Sequence, residues 1–191
     1  MAKMESSFKN MVLSLTLISL VASAGLGSVY ELTKAPIEIS NLNNKIGAMK
    51  QVVPEFNNNP YEEMLRLPTG DGDSLDVYPA KMNNNLIGYA VSTYTKNGFS
   101  GDILLMVGFN TDGSIYNITV LEHKETPGLG SKMNEPVFKN QFKNINPGKI
   151  VLKVKKDNGQ IDAITAATIS SRAFCDAVQR AYNTLEKGGL K

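Results

Sequence analysis

The chain has 191 residues, of which 42% are hydrophobic and 20% charged, and its formal net charge is +2. This is the composition of a globular protein with one substantial core, and the near-neutral charge without a basic cluster argues against nucleic acid as a partner. The single cysteine, Cys175, cannot form an internal disulfide, and no Cys/His set has zinc spacing, so we expect no metal site.

The first element is an uncharged run over residues 11–30. At about 1.5 Å per residue, a helix of this length matches a hydrocarbon core of roughly 30 Å. We therefore predict a short cytoplasmic stub and a single transmembrane helix within residues 1–34. Lys3 and Lys9 precede the run and favour a cytoplasmic N-terminus. A secretory signal peptide is the alternative, because residues 22–24 form an A-x-A cleavage pattern, but the length of the run favours a retained anchor.

A connecting helix is predicted over residues 35–56, beginning at Pro36, because proline suits the first helical position. Its apolar residues recur at steps of three and four and form a narrow seam: Ile39, Leu42, Ile46, Met49 and Val53. The seam either packs against the chain's own domain or contacts a partner subunit near the membrane. Residues 57–60, Asn-Asn-Asn-Pro, mark a boundary or a loop. We predict an extracytoplasmic domain over residues 57–191.

Strand patterns dominate the middle of the chain. Residues 75–80, 86–95, 102–109 and 114–122 read as strands separated by Asn- and Gly-containing turns. We predict a further hairpin, residues 150–155 and 161–164, through the turn at 157–159. A helix then begins at Thr168 and ends at Gly188 and Gly189. Its apolar face consists of Phe174, Ala177, Val178, Ala181 and Leu185. The fold class is therefore α+β, with a mostly antiparallel sheet flanked by helices.

Residues 162–171 place four hydroxyl side chains and one carboxylate just before and within the start of that helix. Unpaired backbone N–H groups at a helix start stabilise a phosphate, and a threonine hydroxyl such as that of Thr168 can also be esterified by one. The alternative is that these residues, Ser170 and Ser171 above all, only cap the helix. The local pattern leaves both interpretations open.

A second motif covers residues 123–130. Pro127 and Gly128 predict a turn, and Gly130 allows close approach of the backbone to a neighbour or ligand. The glycine spacing is neither that of a P-loop nor that of a dinucleotide-binding fold. His123 is the only histidine and is more typical of a structural residue at a strand end than of a base or ligand. No hydrolase triad is suggested.

The two motifs together resemble a known family. Asp162-x-x-Thr165-Ala166-Ala167-Thr168 resembles the acceptor motif of FMN-binding domains that carry flavin as a phosphoester on threonine, and residues 123–130 resemble their companion loop. Behind one membrane helix, this pair resembles the G subunits of the Rnf complex, an ion-pumping ferredoxin:NAD oxidoreductase. The C subunit of the sodium-pumping NADH:quinone reductase is the alternative within the class. Ala166 stands where many members have glycine, and its methyl group disfavours positive φ.

The resemblance implies roles for particular residues. Thr168 would carry FMN, attached by a separate flavin transferase that takes FAD and needs a divalent metal. Asp162 and Thr165 would be read by that transferase or form the turn that presents Thr168, together with Ala167. Ser170 and Ser171 would hold the phosphate oxygens. The isoalloxazine would be bordered by Glu125, Thr126, Leu129 and Lys132. No catalytic acid or base is expected, because the flavin supplies the redox chemistry.

The resemblance also implies partners and location. The chain would pass electrons between neighbouring redox subunits of a complex in the cytoplasmic (inner) membrane, with its helix in the lipid bilayer and its FMN domain on the extracytoplasmic side. Two other functions remain as alternatives: an anchored flavin reductase acting on a small substrate, and a cofactor-free anchored interaction module in which both motifs are only turns and caps.

Overall fold

The structure is a computed structural model that describes residues 7–190. Three α-helices and five strands follow in chain order: α1 Phe8–Val52, β1 Leu65–Pro68, β2 Ser74–Met82, β3 Asn85–Thr95, β4 Ile103–Asn110, β5 Ile115–His123, α2 Pro136–Lys139 and α3 Thr168–Lys187. Three short 3-10 turns lie at Gly130–Asn134, Asn140–Phe142 and Lys155–Asp157. The chain divides into two compact units, one before Asn44 and one from Asn44 onward.

The unit before Asn44 consists of the larger part of α1. The helix is long and apolar enough to cross a membrane, as the sequence predicts for residues 11–30, whereas residues 1–6 of the predicted stub lie outside the described residues. The prediction that a separate helix begins at Pro36 is wrong, because Pro36 lies inside α1. A proline inside a helix removes one backbone hydrogen bond, and the remaining bonds on both sides of Pro36 keep α1 continuous.

The last turns of α1 belong to the second unit. Met49 and Val53, the end of the predicted seam, are 1% and 3% exposed and pack with Tyr78 and Met106 of the sheet. This part of the seam therefore packs against the chain's own domain, whereas Ile39 is 61% exposed. The compact unit begins at Asn44, earlier than the predicted boundary at residue 57, because these helical turns form part of its core.

The sheet is an antiparallel meander in the order β1-β2-β3-β4-β5. The four strands predicted from alternation are confirmed with small shifts at their ends. β1 was not predicted. It has four residues and is mostly exposed, so it shows almost no alternation of buried and exposed side chains. It ends in Pro68, and proline is tolerated in a strand at the edge of a sheet.

Each face of the sheet is covered by a helix. The buried face of α3 packs on one side, where Thr93 Oγ1 donates a hydrogen bond to the Ala177 carbonyl at 3.0 Å. Phe138, Phe142 and Phe174 form an aromatic cluster with centroid distances of 4.9–5.5 Å, which ties α2 and the following turn to α3. On the other side α1 reaches the sheet so closely that a Cβ at Gly108 would lie 1.5 Å from the Val52 carbonyl oxygen.

The predicted hairpin over residues 150–164 is wrong. Val154 and Ile161 form one isolated parallel bridge, and the connection contains a 3-10 turn and the left-handed residue Asn158, φ 60°. The alternating apolar residues that suggested strands instead enter the core beneath α3 one at a time, as Leu152, Val154, Ile161 and Ile164 do. The alternating pattern is therefore explained by burial of these side chains without strand pairing. Periodicity indicates which side chains face the core, but it does not indicate which backbone groups pair.

Candidate functional site

An open cleft of about 320 Å³ lies at the start of α3. Three segments that are distant in sequence line it: the turn after β3, the loop after β5, and the turn into α3 with its first residues. The lining residues are Phe99, Glu125, Thr126, Leu129, Gly130, Ala166, Ala167, Thr168, Ile169 and Ser170. Both sequence motifs therefore contribute to one cavity.

The cleft brings together six of the ten predicted cofactor-binding residues: Glu125, Thr126, Leu129, Ala167, Thr168 and Ser170. Asp162, Thr165 and Lys132 lie elsewhere, on a neighbouring groove of about 210 Å³. Asp162 is exposed there and pairs with Lys155 at 2.7 Å. Ser171 is fully buried inside α3. The predicted set is thus divided between the cleft, the groove beside it and the core.

The turn into α3 is held by hydroxyl groups, but not by capping. The N-cap residue is Ala167, and no side chain caps the helix, so the capping interpretation of Ser170 and Ser171 is wrong. Ser171 Oγ accepts from Ile164 N and donates to the Ala167 carbonyl, both at 2.9 Å. The first helical bond runs from Ser171 N to Ala167 O, and the N–H groups before it lie where a helix supplies no acceptor.

Ala166 has a left-handed backbone, a conformation that favours glycine. Its φ is +60°. In an L-residue other than glycine this conformation costs about 1–2 kcal/mol, because Cβ approaches the following carbonyl oxygen. The turn that presents Thr168 is therefore strained by its own sequence.

Ala166→Gly is expected to stabilise the protein. Relief of the strain outweighs the extra freedom of glycine in the unfolded chain, about 0.4–1 kcal/mol, so the melting temperature should rise by about 1–4 °C. Ala163→Gly is the control, because Ala163 has no positive φ and should only lose stability. A lower melting temperature for Ala166→Gly would show that the turn does not need the left-handed conformation.

A cation lies beside Thr168. Lys156 Nζ is 3.4 Å from Thr168 Oγ1, and Thr168 is half-buried. The hydroxyl of Thr168 therefore lies next to two sources of positive charge, the lysine and the start of the helix. Arg172 is one helical turn further and is already engaged, since it donates two bonds of 2.7 Å to the Asp157 carboxylate. The guanidinium holds the pKa of Asp157 below its usual value, and the carboxylate raises the pKa of Arg172.

The mouth of the cleft is apolar. Phe99, Ile169 and Leu129 line it and are 68%, 47% and 41% exposed. Phe99 and Ile169 are not among the predicted site residues. An apolar rim beside an anion-attracting helix start suits a flat aromatic group joined to a phosphate, since planar ligands are held by apolar walls and oriented by a few polar groups.

His123 holds the loop that forms one wall. Its Nδ1 accepts from Glu125 N at 3.2 Å, and its Nε2 lies 3.0 Å from Asn134 Nδ2. Both contacts are internal to the loop and the turn after it. Across residues 7–190, no group of three or more His, Cys, Asp or Glu side chains is placed to hold a metal ion.

Comparison with known proteins defines the class. The chain matches the FMN-binding domain family over residues 98–183, which contain every residue of the cleft. The fold resembles that of the C subunit of the Na(+)-translocating NADH-quinone reductase from Parabacteroides distasonis, with a TM-score of 0.54, 20% identity, and coverage of 79% of this chain and 94% of that one. The fold is thus that of an FMN-binding domain.

Relatives along the whole chain give the family. This chain is 31% identical to the G subunit of the ion-translocating oxidoreductase complex of Aliivibrio fischeri, over 93% of this chain and 90% of the relative. It is 32% identical to the G subunit of the Na(+)-translocating ferredoxin:NAD(+) oxidoreductase complex of Acetobacterium woodii, over 92% and 91%. The chain belongs to the family of G subunits of ion-translocating oxidoreductase complexes.

Proposed function

We propose that this chain is an electron-carrying flavoprotein subunit of a membrane complex that couples electron transfer between ferredoxin and NAD to ion translocation, with FMN attached through its phosphate to Thr168. The observation that carries the proposal is the position of the Thr168 hydroxyl, which lies at a helix start, beside Lys156, on a cleft with an apolar mouth. Membership of the G-subunit family supports the role in a complex.

The residues present fit the phosphate. A phosphodiester carries a negative charge, which the helix start and Lys156 both stabilise. Ser171 does not fit the role suggested by the resemblance, because it is fully buried and its hydrogen goes to the Ala167 carbonyl. Ser170 lines the cleft but donates to Glu125. We therefore assign the phosphate contacts to backbone N–H groups and Lys156.

The residues also fit the ring. Phe99, Leu129 and Ile169 provide apolar contact area around the cleft, and Thr126 adds a hydroxyl at its edge. When bound, FMN supplies the redox chemistry, and these side chains position it and limit the approach of water. No proton transfer by a protein side chain is needed for this role.

Attachment requires a second enzyme. In the proposed step the Thr168 oxygen forms a bond to the FMN phosphorus of FAD, the phosphoanhydride breaks, AMP leaves, and the hydroxyl proton is released. Asp162 and Thr165 lie outside the cleft and are exposed, so a flavin transferase can contact them while the cleft holds the flavin. A covalent link suits a domain on the extracytoplasmic side, where a lost cofactor is not replaced.

Mass spectrometry of the peptide containing Thr168 tests the proposal. The chain is produced together with its flavin transferase, and an added FMN is expected on Thr168. A protein without flavin would favour the cofactor-free interaction module. A flavin-bearing single subunit that reduces a small soluble substrate would instead favour the anchored reductase.

A further inference from the structure

One buried carboxylate, on the loop after β5, joins the two other walls of the cleft, which are the first turn of α3 and the turn after β3. Glu125 is 5% exposed. Its Oε2 accepts a hydrogen bond from Ser170 Oγ at 2.6 Å, and its Oε1 accepts one from Ser100 N at 3.0 Å. Ser170 lies in the first turn of α3, and Ser100 follows Phe99 in the turn after β3. The carboxylate therefore links the segment that carries Thr168 to the segment that carries Phe99.

The backbone around this carboxylate is packed closely. A Cβ at Gly130 would lie 2.5 Å from Glu125 Oε2 and 2.6 Å from Ser170 Oγ, and one at Gly98 would lie 3.0 Å from Glu125 Oε1. Both glycines thus leave the room that Glu125 occupies. Contacts on several sides fix the position of the Glu125 side chain, unlike that of a flexible side chain at the surface.

No positive side chain neutralises Glu125 directly. Within residues 7–190 it takes part in no ion pair, and its two carboxylate oxygens accept one hydrogen bond each, from Ser100 N and from Ser170 Oγ. Burying a charged side chain without a neighbouring cation costs free energy unless hydrogen bonds stabilise the charge. A carboxylate held in this way on the cleft points to a role beyond packing.

We propose that Glu125 is a positioning residue that holds the two walls of the cleft together and places a fixed negative charge beside the flavin, which lowers the flavin's reduction potential. The inference rests on the proposed function. Reduction adds electron density to the ring, and a nearby negative charge disfavours it. At short range and with limited solvent screening, the energy of such an interaction is large enough to shift a redox equilibrium at least tenfold.

The test compares the midpoint potential of the Thr168-linked flavin in full-length variants. Glu125→Gln keeps the size of the side chain and removes its charge, so at a fixed applied potential the ratio of reduced to oxidised flavin should rise at least tenfold, about 30 mV for a two-electron couple. Glu122→Gln removes an exposed carboxylate nearby and should change nothing.

Glu125→Asp provides a second measurement if Glu125→Gln folds poorly, since it retains the charge and should retain a low potential. A tenfold rise in Glu125→Asp or an unchanged potential in flavin-bearing Glu125→Gln would each overturn the inference while leaving covalent FMN intact. Absence of flavin from the wild-type chain, seen on a denaturing gel, would instead contradict the proposed function on which the inference rests.

Discussion

Thr168→Ala is expected to abolish covalent flavin completely. The side-chain oxygen is the atom that would form the phosphoester, and alanine offers no replacement at the start of α3. The change should leave the domain folded, because Thr168 is only half-buried, alanine is a good helix former, and one weak contact to Lys156 is lost. Flavin fluorescence of the protein band on a denaturing gel measures the result.

Two matched variants make this measurement specific. Thr168→Ser keeps a hydroxyl and is expected to retain part of the flavin. Thr165→Ala removes the other threonine of the motif, which faces the neighbouring groove and not the cleft, so it should not remove the attachment atom. Full fluorescence in Thr168→Ala would place the attachment elsewhere, with Thr165 the next residue to examine.

Gly108→Ala is expected to cause the largest loss of stability. The new Cβ would lie 1.5 Å from the Val52 carbonyl oxygen and 2.4 Å from its carbon, and both are backbone atoms that no rotamer change can move. The end of α1 must shift away from β4, which would expose Met49 of α1 and Met106 of β4, both buried in the same cluster. Overpacking of this severity should cost about 3 kcal/mol or more, measured by chemical denaturation in detergent.

Gly47→Ala is the matched control. Gly47 lies in the same helix, and a Cβ there meets nothing within 4 Å. Alanine should therefore stabilise the helix by up to about 1 kcal/mol. If both glycine variants changed stability equally, the close contact between α1 and β4 would not be the cause.

The sequence predicted those elements of the fold in which the local pattern of buried side chains corresponds to the backbone structure. Alternation over residues 86–95 identified β3, because every second side chain faces the α3 side of the core. The same argument failed for residues 150–164, where apolar side chains are buried without strand pairing. It also missed β1, whose four residues are too exposed to show a pattern. Helix α1 continues through Pro36 because local propensity does not determine where a long helix ends.

The parts of the candidate site that consist of consecutive residues could be predicted from the sequence. Two local motifs indicated the turn into α3 and the loop after β5, and the structure places both on one cleft. Phe99, Ile169 and Lys156 could not be found in this way. Phe99 reaches the cleft only because β3 and β5 lie on either side of β4, and Lys156 only because a 3-10 turn aims it at Thr168. Such neighbours are set by tertiary structure and leave no local signal.

The hydrogen bond between Glu125 and Ser170 spans 45 residues of sequence, and the bond to Ser100 spans a further 25 in the other direction. The cleft is therefore completed only when β3, β4 and β5 have paired and α3 has docked. Flavin attached at Thr168 would then act as a record of successful folding. Chains that misfold at the sheet would stay colourless, so the colour of the protein would report whether its core had formed.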